Sequence, residues 1–337
     1  MKKLKVFFDW FLRIGLSAVV VLFLVVAPWT LFPSLLNAQA NVNRGEHFEY
    51  QGILELWHVE TFEGGSVSRA KFLERQAINF EKQNKGCYIV IQTMNLEQLE
   101  LNIENNKRPN MISFGIGASD KIANELVELD SKNVRADLAK SGQYGSRQLA
   151  VPYILGGYVL IENGNGTVGV GLKGTTNPLM AMQKNNLQIA NIFKETNLDS
   201  YDTYDKFLKG SFETLLGTQR DFYRVQNRQQ KGLMTDVNFK FLGGYTDLVQ
   251  YVSVFKGNKT EVEMCKKFVS SLIEENAQNK LAGYNLFSTL SNITLYKDGL
   301  YKDFEEVLKQ PLTCENAFIS KSEIEFKKEE SYKNVVI

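Results

Sequence analysis

Glu60 and Glu63 lie three residues apart in the stretch Trp57-His58-Val59-Glu60-Thr61-Phe62-Glu63-Gly64-Gly65. A pair of carboxylates is what glycoside hydrolysis needs, one to donate a proton and one to attack or to activate water. No nucleophile–base arrangement accompanies these two, so they also read as hydrogen-bonding groups on a pocket rim. The only histidines are His47 and His58. They allow one metal ligand pair at most, and His58, beside Trp57 at a strand end, reads as a hydrogen-bonding residue of a pocket or its rim. Cys87, Cys265 and Cys314 are odd in number and widely spaced, which gives neither a disulfide framework nor a metal motif. Gly164-Asn165-Gly166-Thr167-Val168-Gly169 has the form G-x-G-x-x-G. A dinucleotide site would need a helix opening there and an acid about 20 residues on. Gly171, Gly174 and Pro178 break any such helix, and no acid occurs until Glu195, so this is a flexible loop or hairpin. The chain therefore calls for no cofactor and no metal.

The elements that would position these groups start at residue 52. Ile53 to Val59 is bulky and mostly apolar, as a strand buried in a sheet would be. Paired glycines follow, and Ser66 is placed to cap a helix. Val67, Ala70, Leu73, Ala77 and Phe80 give that helix one apolar face, and Gly86 suits a left-handed stop. Cys87 to Met94 reads as a second strand, Leu96 to Asn105 as a second helix, and Met111 to Gly115 as a third strand. This βαβαβ order predicts a mostly parallel sheet, with ligands beyond the carboxyl ends of its strands. Later, Asn177-Pro178 is suited to open a helix. Asp202 or Thr203 is suited to cap another, and Phe212 to Gly217 reads as a strand that runs into a helix at Thr218-Gln219-Arg220-Asp221. A helix N-terminus offers free backbone N–H groups and partial positive charge. Arg220, Arg224 and Arg228 share one face of that helix, either as ligand-binding groups or as a solvated face paired with nearby acids. The closing helix, near Lys321 to Lys333, is strongly charged and is expected on the surface.

Five segments carry a resemblance: WHVETFEGGSVSRAKFLERQAINFEKQN, RPNMISFG, VPYILGGYVLIEN, LLGTQRDFYRVQNR and GGYTDLVQYVSV. In this order they resemble the extracellular solute-binding proteins of bacterial ABC importers, the branch that mostly carries sugars, with a type II periplasmic-binding-protein-like fold. The resemblance covers residues 50–163 and 210–300. It implies an α/β fold of two lobes, each a mostly parallel sheet flanked by helices, joined by two hinge crossings. It implies a membrane permease and a cytoplasmic ATPase as partners, and a small-molecule ligand, a sugar, caught between the lobes. Members usually carry a longer second lobe than this chain does.

Sugars offer C–H faces to aromatic rings and hydroxyls that need partners. The expected ligand-binding residues are Trp57, Glu60, Phe62, Glu63, Gly64, Gly65, Ser113, Phe114, Gly115 and Tyr158 from the first half of the chain. Gln219, Arg220, Asp221, Tyr245 and Asp247 complete the set. The expected organisation is an N-terminal region and tether (1–45), a first lobe (46–155), a shortened second lobe (156–244), and a return to the first lobe with C-terminal helices (245–337). Gly156-Gly157, where the chain would cross, suits either a hinge or a bulge within one strand.

Residues 14–36 form an apolar run without a charge, about 35 Å long as a helix and enough to span a bilayer core. Lys2, Lys3, Lys5 and Arg13 precede it, which puts the N-terminus in the cytoplasm. Ala38-Gln39-Ala40 has the form that signal peptidase prefers, so the segment is either a retained anchor or a signal peptide cleaved after Ala40. The rest of the chain carries 35 basic and 37 acidic residues, without basic runs, and does not look built for nucleic acid. Two function classes stand beside a solute-binding protein: a glycoside-acting enzyme, and an anchored, ligand-silent relative that serves as a sensor or assembly partner.

Overall fold

The computed structural model describes residues 15, 16, 20, 50–118, 121–195 and 197–337. The apolar run and tether, and with them His47, otherwise lie outside the described residues. Among the described residues no helix is long and apolar enough to cross a membrane. Two compact units are distinguished: one of residues 53–80 and 88–337, and one of residues 81–87 with the described residues up to 52. In the smaller, the Gly52 N–H donates to the Gly86 carbonyl at 3.1 Å, and Gly86 takes a φ of +89° just past a helix end.

The strands in chain order are β1 (Gly52–Val59), β2 (Cys87–Met94), β3 (Met111–Phe114), β4 (Gln143–Tyr144), β5 (Arg147–Gln148), β6 (Val151–Leu155), β7 (Tyr158–Glu162), β8 (Val168–Val170), β9 (Thr214–Thr218), β10 (Asn238–Leu242), β11 (Tyr245–Thr246), β12 (Val249–Val254) and β13 (Thr313–Cys314). The helices are α1 (Ala70–Gln83), α2 (Leu96–Glu104), α3 (Ala136–Ser141), α4 (Pro178–Lys184), α5 (Ser200–Leu208), α6 (Gln219–Gln230), α7 (Lys259–Leu272), α8 (Glu275–Gln278), α9 (Gly299–Lys309) and α10 (Lys321–Val335).

Two sheets result. The first has the order β2-β1-β3-β12-β6 and the second the order β10-β7-β9-β8. Both are mixed rather than mostly parallel. β1 and β3 run parallel, but β12 returns from the second sheet and enters antiparallel to both β3 and β6. In the second sheet β8 and β9 are parallel, and β7, arriving from the first sheet, is antiparallel to β9 and β10. A strand that crosses between sheets reverses direction relative to the strands it joins, and the βαβαβ order alone does not contain it. Because β6 and β7 lie in different sheets, Gly156-Gly157 is a crossing and not a bulge. The other crossing, Gly243 to Leu248, lies against it: the Gly156 N–H donates to the Leu248 carbonyl at 2.7 Å, and Thr246 Oγ1 donates to the Gly156 carbonyl at 2.8 Å.

Helix starts differ from expectation in two places. α1 begins at Ala70, not at Ser66. Gly65 takes a φ of +66° and the Ser66 N–H donates to the Tyr284 carbonyl at 2.8 Å, so residues 64–67 are held as a turn, and Val67 lies outside the helix. Ser68 Oγ accepts from the Ala70 N–H instead. α5 is capped by Asp199, whose side chain accepts from the Asp202 N–H at 2.8 Å, rather than by Asp202 or Thr203. The buried face of α1 includes Phe72, Leu73, Ala77 and Phe80; Phe80 meets Phe268 of α7 edge to face at 5.3 Å.

The charged helix α10 lies on the surface, as expected, with one face buried through Ile324, Lys328, Ser331 and Val335. It packs on α4, Val335 sits in the second sheet's core with Leu179, Met182 and Leu216, and Asn177 Nδ2 donates to Ser331 Oγ at 3.0 Å. Lys328, 5% exposed, donates to the Leu172 and Gly174 carbonyls. On the opposite side Phe304 of α9 stacks on Phe241 with ring centroids 4.3 Å apart, and Phe222 of α6 meets both Phe239 and Phe241 edge on. The chain therefore crosses to the second lobe again after β12.

Candidate functional site

The two lobes bound a cleft of about 660 Å3, within the range of small-molecule sites. From the first lobe it is lined by Glu60 to Glu63, after β1, and by Asn95 to Glu97, after β2. From the second it is lined by Gly171, by Lys173 to Thr176, by Asp199 to Tyr201 and by Thr218. Each contribution is a turn that follows a strand or opens a helix. Asn95 and Gln98 form a reciprocal capping box at α2, and Thr218 and Asp221 form another at α6. Such caps fix where the chain turns.

Three of the expected residues line this cleft. Glu60 accepts from Ser68 Oγ at 2.6 Å. Phe62 lies with its ring 4.0 Å from the Arg69 guanidinium carbon. Glu63 is gripped by Arg224 of the opposite lobe through both nitrogens, at 2.7 and 2.8 Å. The two acids thus have separate engagements. Arg224 is not part of a solvated face: it is 15% exposed, also bonds Asp221 at 3.2 Å, and lies over Tyr201 and Tyr204. Arg220 likewise reaches across, its Nη1 donating to the Gly65 carbonyl at 2.8 Å. Gly64 and Gly65 form the turn that these side chains meet.

The others are buried behind the cleft. Trp57 is 3% exposed, its indole N–H donating to Glu55 at 2.9 Å, so it offers no free face as a platform. Phe114 is enclosed between Tyr251 and Phe318. Ser113 is the centre of a buried polar cluster, 2.8 Å from Tyr153 Oη, 3.0 Å from His58 Nδ1 and 2.9 Å from Gln250 Nε2. Burial, with Arg69 nearby, pulls the His58 pKa down to about 3, so this imidazole is neutral. Gly115 lets Thr61 approach: a Cβ there would lie 2.0 Å from Thr61 Oγ1.

Tyr158, Tyr245 and Asp247 meet at the crossings rather than in the cleft. Asp247 accepts from Tyr158 Oη, from Tyr245 Oη at 3.2 Å and from the Asn177 N–H at 2.6 Å, and burial pushes its pKa up to about 6. Asp221 is 1% exposed and accepts from the Thr218 N–H at 2.9 Å; burial raises it to about 6 as well. Gln219, fully buried, accepts from the Gly157 N–H at 2.6 Å. That bond ties the opening of α6 to the first crossing.

Asn95, Glu97, Tyr201 and the Gly171–Thr176 loop escaped sequence reasoning. The first two were findable, because Cys87–Met94 followed by Asn95 repeats the strand-to-helix grammar of the stretch after β1. The loop carries no such signal. It is set by Lys328, 154 positions after Gly174, which holds its carbonyls from α10.

No protein-family model matches the chain, and no curated protein sequence matches it. Solved structures do. The cyclic α-maltosyl-1,6-maltose binding protein of Arthrobacter globiformis superposes with a TM-score of 0.60 at 10% identity, over 85% of this chain and 94% of that one. The GacH receptor of Streptomyces glaucescens, solved unliganded and with acarbose, gives 0.60 at 12%, over 85% and 93%. An ABC substrate-binding protein of Listeria monocytogenes in complex with cycloalternan gives 0.56 at 12%, over 84% and 99%. The chain has the two-lobed α/β fold of these solute-binding proteins.

Proposed function

We propose that the chain is the extracytoplasmic solute-binding component of an ABC importer and that it captures a carbohydrate between its lobes. The observation that carries this reading is the cleft itself: about 660 Å3, lined from both lobes by turns that bear rings and hydrogen-bonding groups. Phe62 and Tyr201 supply ring surface, while Glu60, Glu97, Asn95 and Thr176 supply partners for hydroxyls. A ligand that touches both lobes is bound fully only when they close, so it shifts the open–closed equilibrium toward the closed form. The closed form is what a permease and its ATPase would read, with the N-terminal segment keeping the chain at the membrane. A micromolar ligand supplies about 8 kcal/mol for this. The chain acts as a binder without turnover, since Glu60 and Glu63 are each engaged by another residue. Calorimetric titration of the full chain with mono- to tetrasaccharides tests the proposal; no heat across the panel refutes it. Turnover of a chromogenic glycoside, lost in Glu63→Gln, would revive the enzyme reading.

One observation favours a second reading. The Glu63–Arg224 pair joins the two lobes directly across the cleft. A cleft shut by its own side chains is what a ligand-silent sensor or assembly partner would have. In that case Arg224→Met binds no more sugar than the parent.

A further inference from the structure

A second concavity, of about 490 Å3, shares no lining residue with the cleft. One wall is α6, where Tyr223, Gln226, Asn227 and Gln230 have the three- and four-residue spacing that puts side chains on one helical face. The other wall is Asn285, with Tyr296 and the start of α9. Arg220, on the same face of α6, links the two places: its Nη1 donates to the Gly65 carbonyl at 2.8 Å, and its guanidinium carbon lies 5.9 Å from the Tyr223 ring centroid. The concavity is also built from both lobes. Phe287, two residues after Asn285, pairs with Leu155 at the end of the first sheet, whereas α6 follows β9 of the second.

Its rings are fixed and its amides are free. Tyr296 stacks on Tyr301 with centroids 4.9 Å apart and planes at 23°, and its Oη donates to the Leu286 carbonyl at 3.0 Å. Phe287 meets Tyr296 edge on at 5.6 Å, and Phe222 meets Tyr301 at 4.8 Å. Ring surface held in this way loses little rotamer freedom when a ligand lies on it. The side chains of Gln226, Asn227 and Gln230, by contrast, have no hydrogen-bond partner among the described residues, and Asp298 makes no capping bond at the start of α9. Each amide offers both a donor and an acceptor. Among the described residues no lysine or arginine lines the concavity, so nothing there neutralises an anion. An apolar ligand would strip water from the amides and return no hydrogen bond. Rings for C–H faces and amides for hydroxyls are the two kinds of contact that a sugar uses. We propose that this concavity is a second binding site, separate from the cleft, for one or two units of a neutral saccharide. The sugar lies against the tyrosine rings, and the α6 amides and Asp298 take its hydroxyls.

The test is calorimetric titration of the full chain with maltose, cellobiose and trehalose. It is run on the parent, on Tyr223→Ala/Asn227→Ala, on Gln226→Trp, which fills the concavity from the half-exposed side of α6, and on the cleft variant Tyr201→Ala. Two independent pocket variants keep the test open if one of them fails to fold. At least one of the sugars is expected to bind the parent at a site where both pocket variants lower the affinity at least tenfold and Tyr201→Ala leaves it unchanged. Where the cleft takes the same sugar, the parent shows two sites, and each kind of variant removes one of them. Binding that Tyr201→Ala abolishes and both pocket variants leave intact overturns this proposal and leaves the cleft reading standing. Binding that only the pocket variants abolish upholds it and counts against the cleft. A single site weakened alike by all the variants overturns the claim of separate sites, and silence toward all three sugars sinks the proposal outright.

Discussion

Asp247 and Asp221 are buried carboxylates that no full counter-charge neutralises in the first case and only Arg224 approaches in the second. Burial raises both to about 6 from 3.8. The folded state therefore holds more protons than the unfolded one between these values, and stability falls as pH rises through the window. His58 acts in the opposite direction, since its folded pKa of about 3 lies below 6.5 and the unfolded chain binds the extra proton. Two groups against one leave a net loss on the order of 1 kcal/mol between pH 5 and 6. Asp247→Asn is expected to make that interval flat or slightly rising, read by urea unfolding at each pH; an unchanged slope would show that Asp247 titrates normally. In the sequence Asp247 reads as a candidate hydrogen-bonding group for a ligand. It is instead a hinge residue, for a reason local sequence does not hold: Tyr158 and Asn177, distant in the chain, both donate to it.

At the scale of elements, α6 and α10 decide how the second lobe is held. Arg224 and Arg220 project from the first two turns of α6 to the Glu63–Gly65 turn of the other lobe. Glu63 is 38% exposed, so its pair with Arg224 is screened and worth at most about 1 kcal/mol. Arg224→Met is expected to change the melting temperature little, while the ligand-free radius of gyration grows in solution scattering. A radius identical to the parent's would mean that the pair does not hold the lobes together. α10 acts differently, through its apolar side. Val335 is fully buried in the second sheet's core, and Val335→Ala is expected to cost about 1.5–2 kcal/mol in chemical denaturation, from two lost methyl groups and the cavity left behind. A cost near zero would place α10 outside the cooperative unit.

At the scale of the molecule, the β6–β7 and β10–β12 crossings lie side by side and share hydrogen bonds in one short region, beside the later passage of the chain to α9 and α10. Gly156 is the tightest point of that region. A Cβ there would lie 2.5 Å from Gln219 Oε1 and 2.9 Å from the Leu248 Cβ. Gly156→Ala is therefore expected to push α6 away from the crossing, to lower the melting temperature, and to weaken ligand affinity at least tenfold through the closed state. Unaltered affinity would show that the crossing is not coupled to the cleft. Ligand that closes the lobes should shrink the radius of gyration and raise the melting temperature of the parent.

By itself the sequence determined the first lobe's order of strands and helices and the opening of α6, while at Gly156-Gly157 it left a hinge and a bulge both open. These depend on local periodicity, caps and glycines, which act over a few residues. Only the tertiary structure decided which of the candidate groups face the cleft and which are sealed behind it. Trp57 and Phe114 have the chemistry of ligand platforms, yet the packing of Tyr251, Phe318 and the neighbouring strands buries them. Arg69 and Gln219, 150 positions apart, converge on Gly64 only because two lobes meet there. Long-range contacts of this kind are set by the closing of sheets and the return of β12 and α10, and no window of sequence contains both partners.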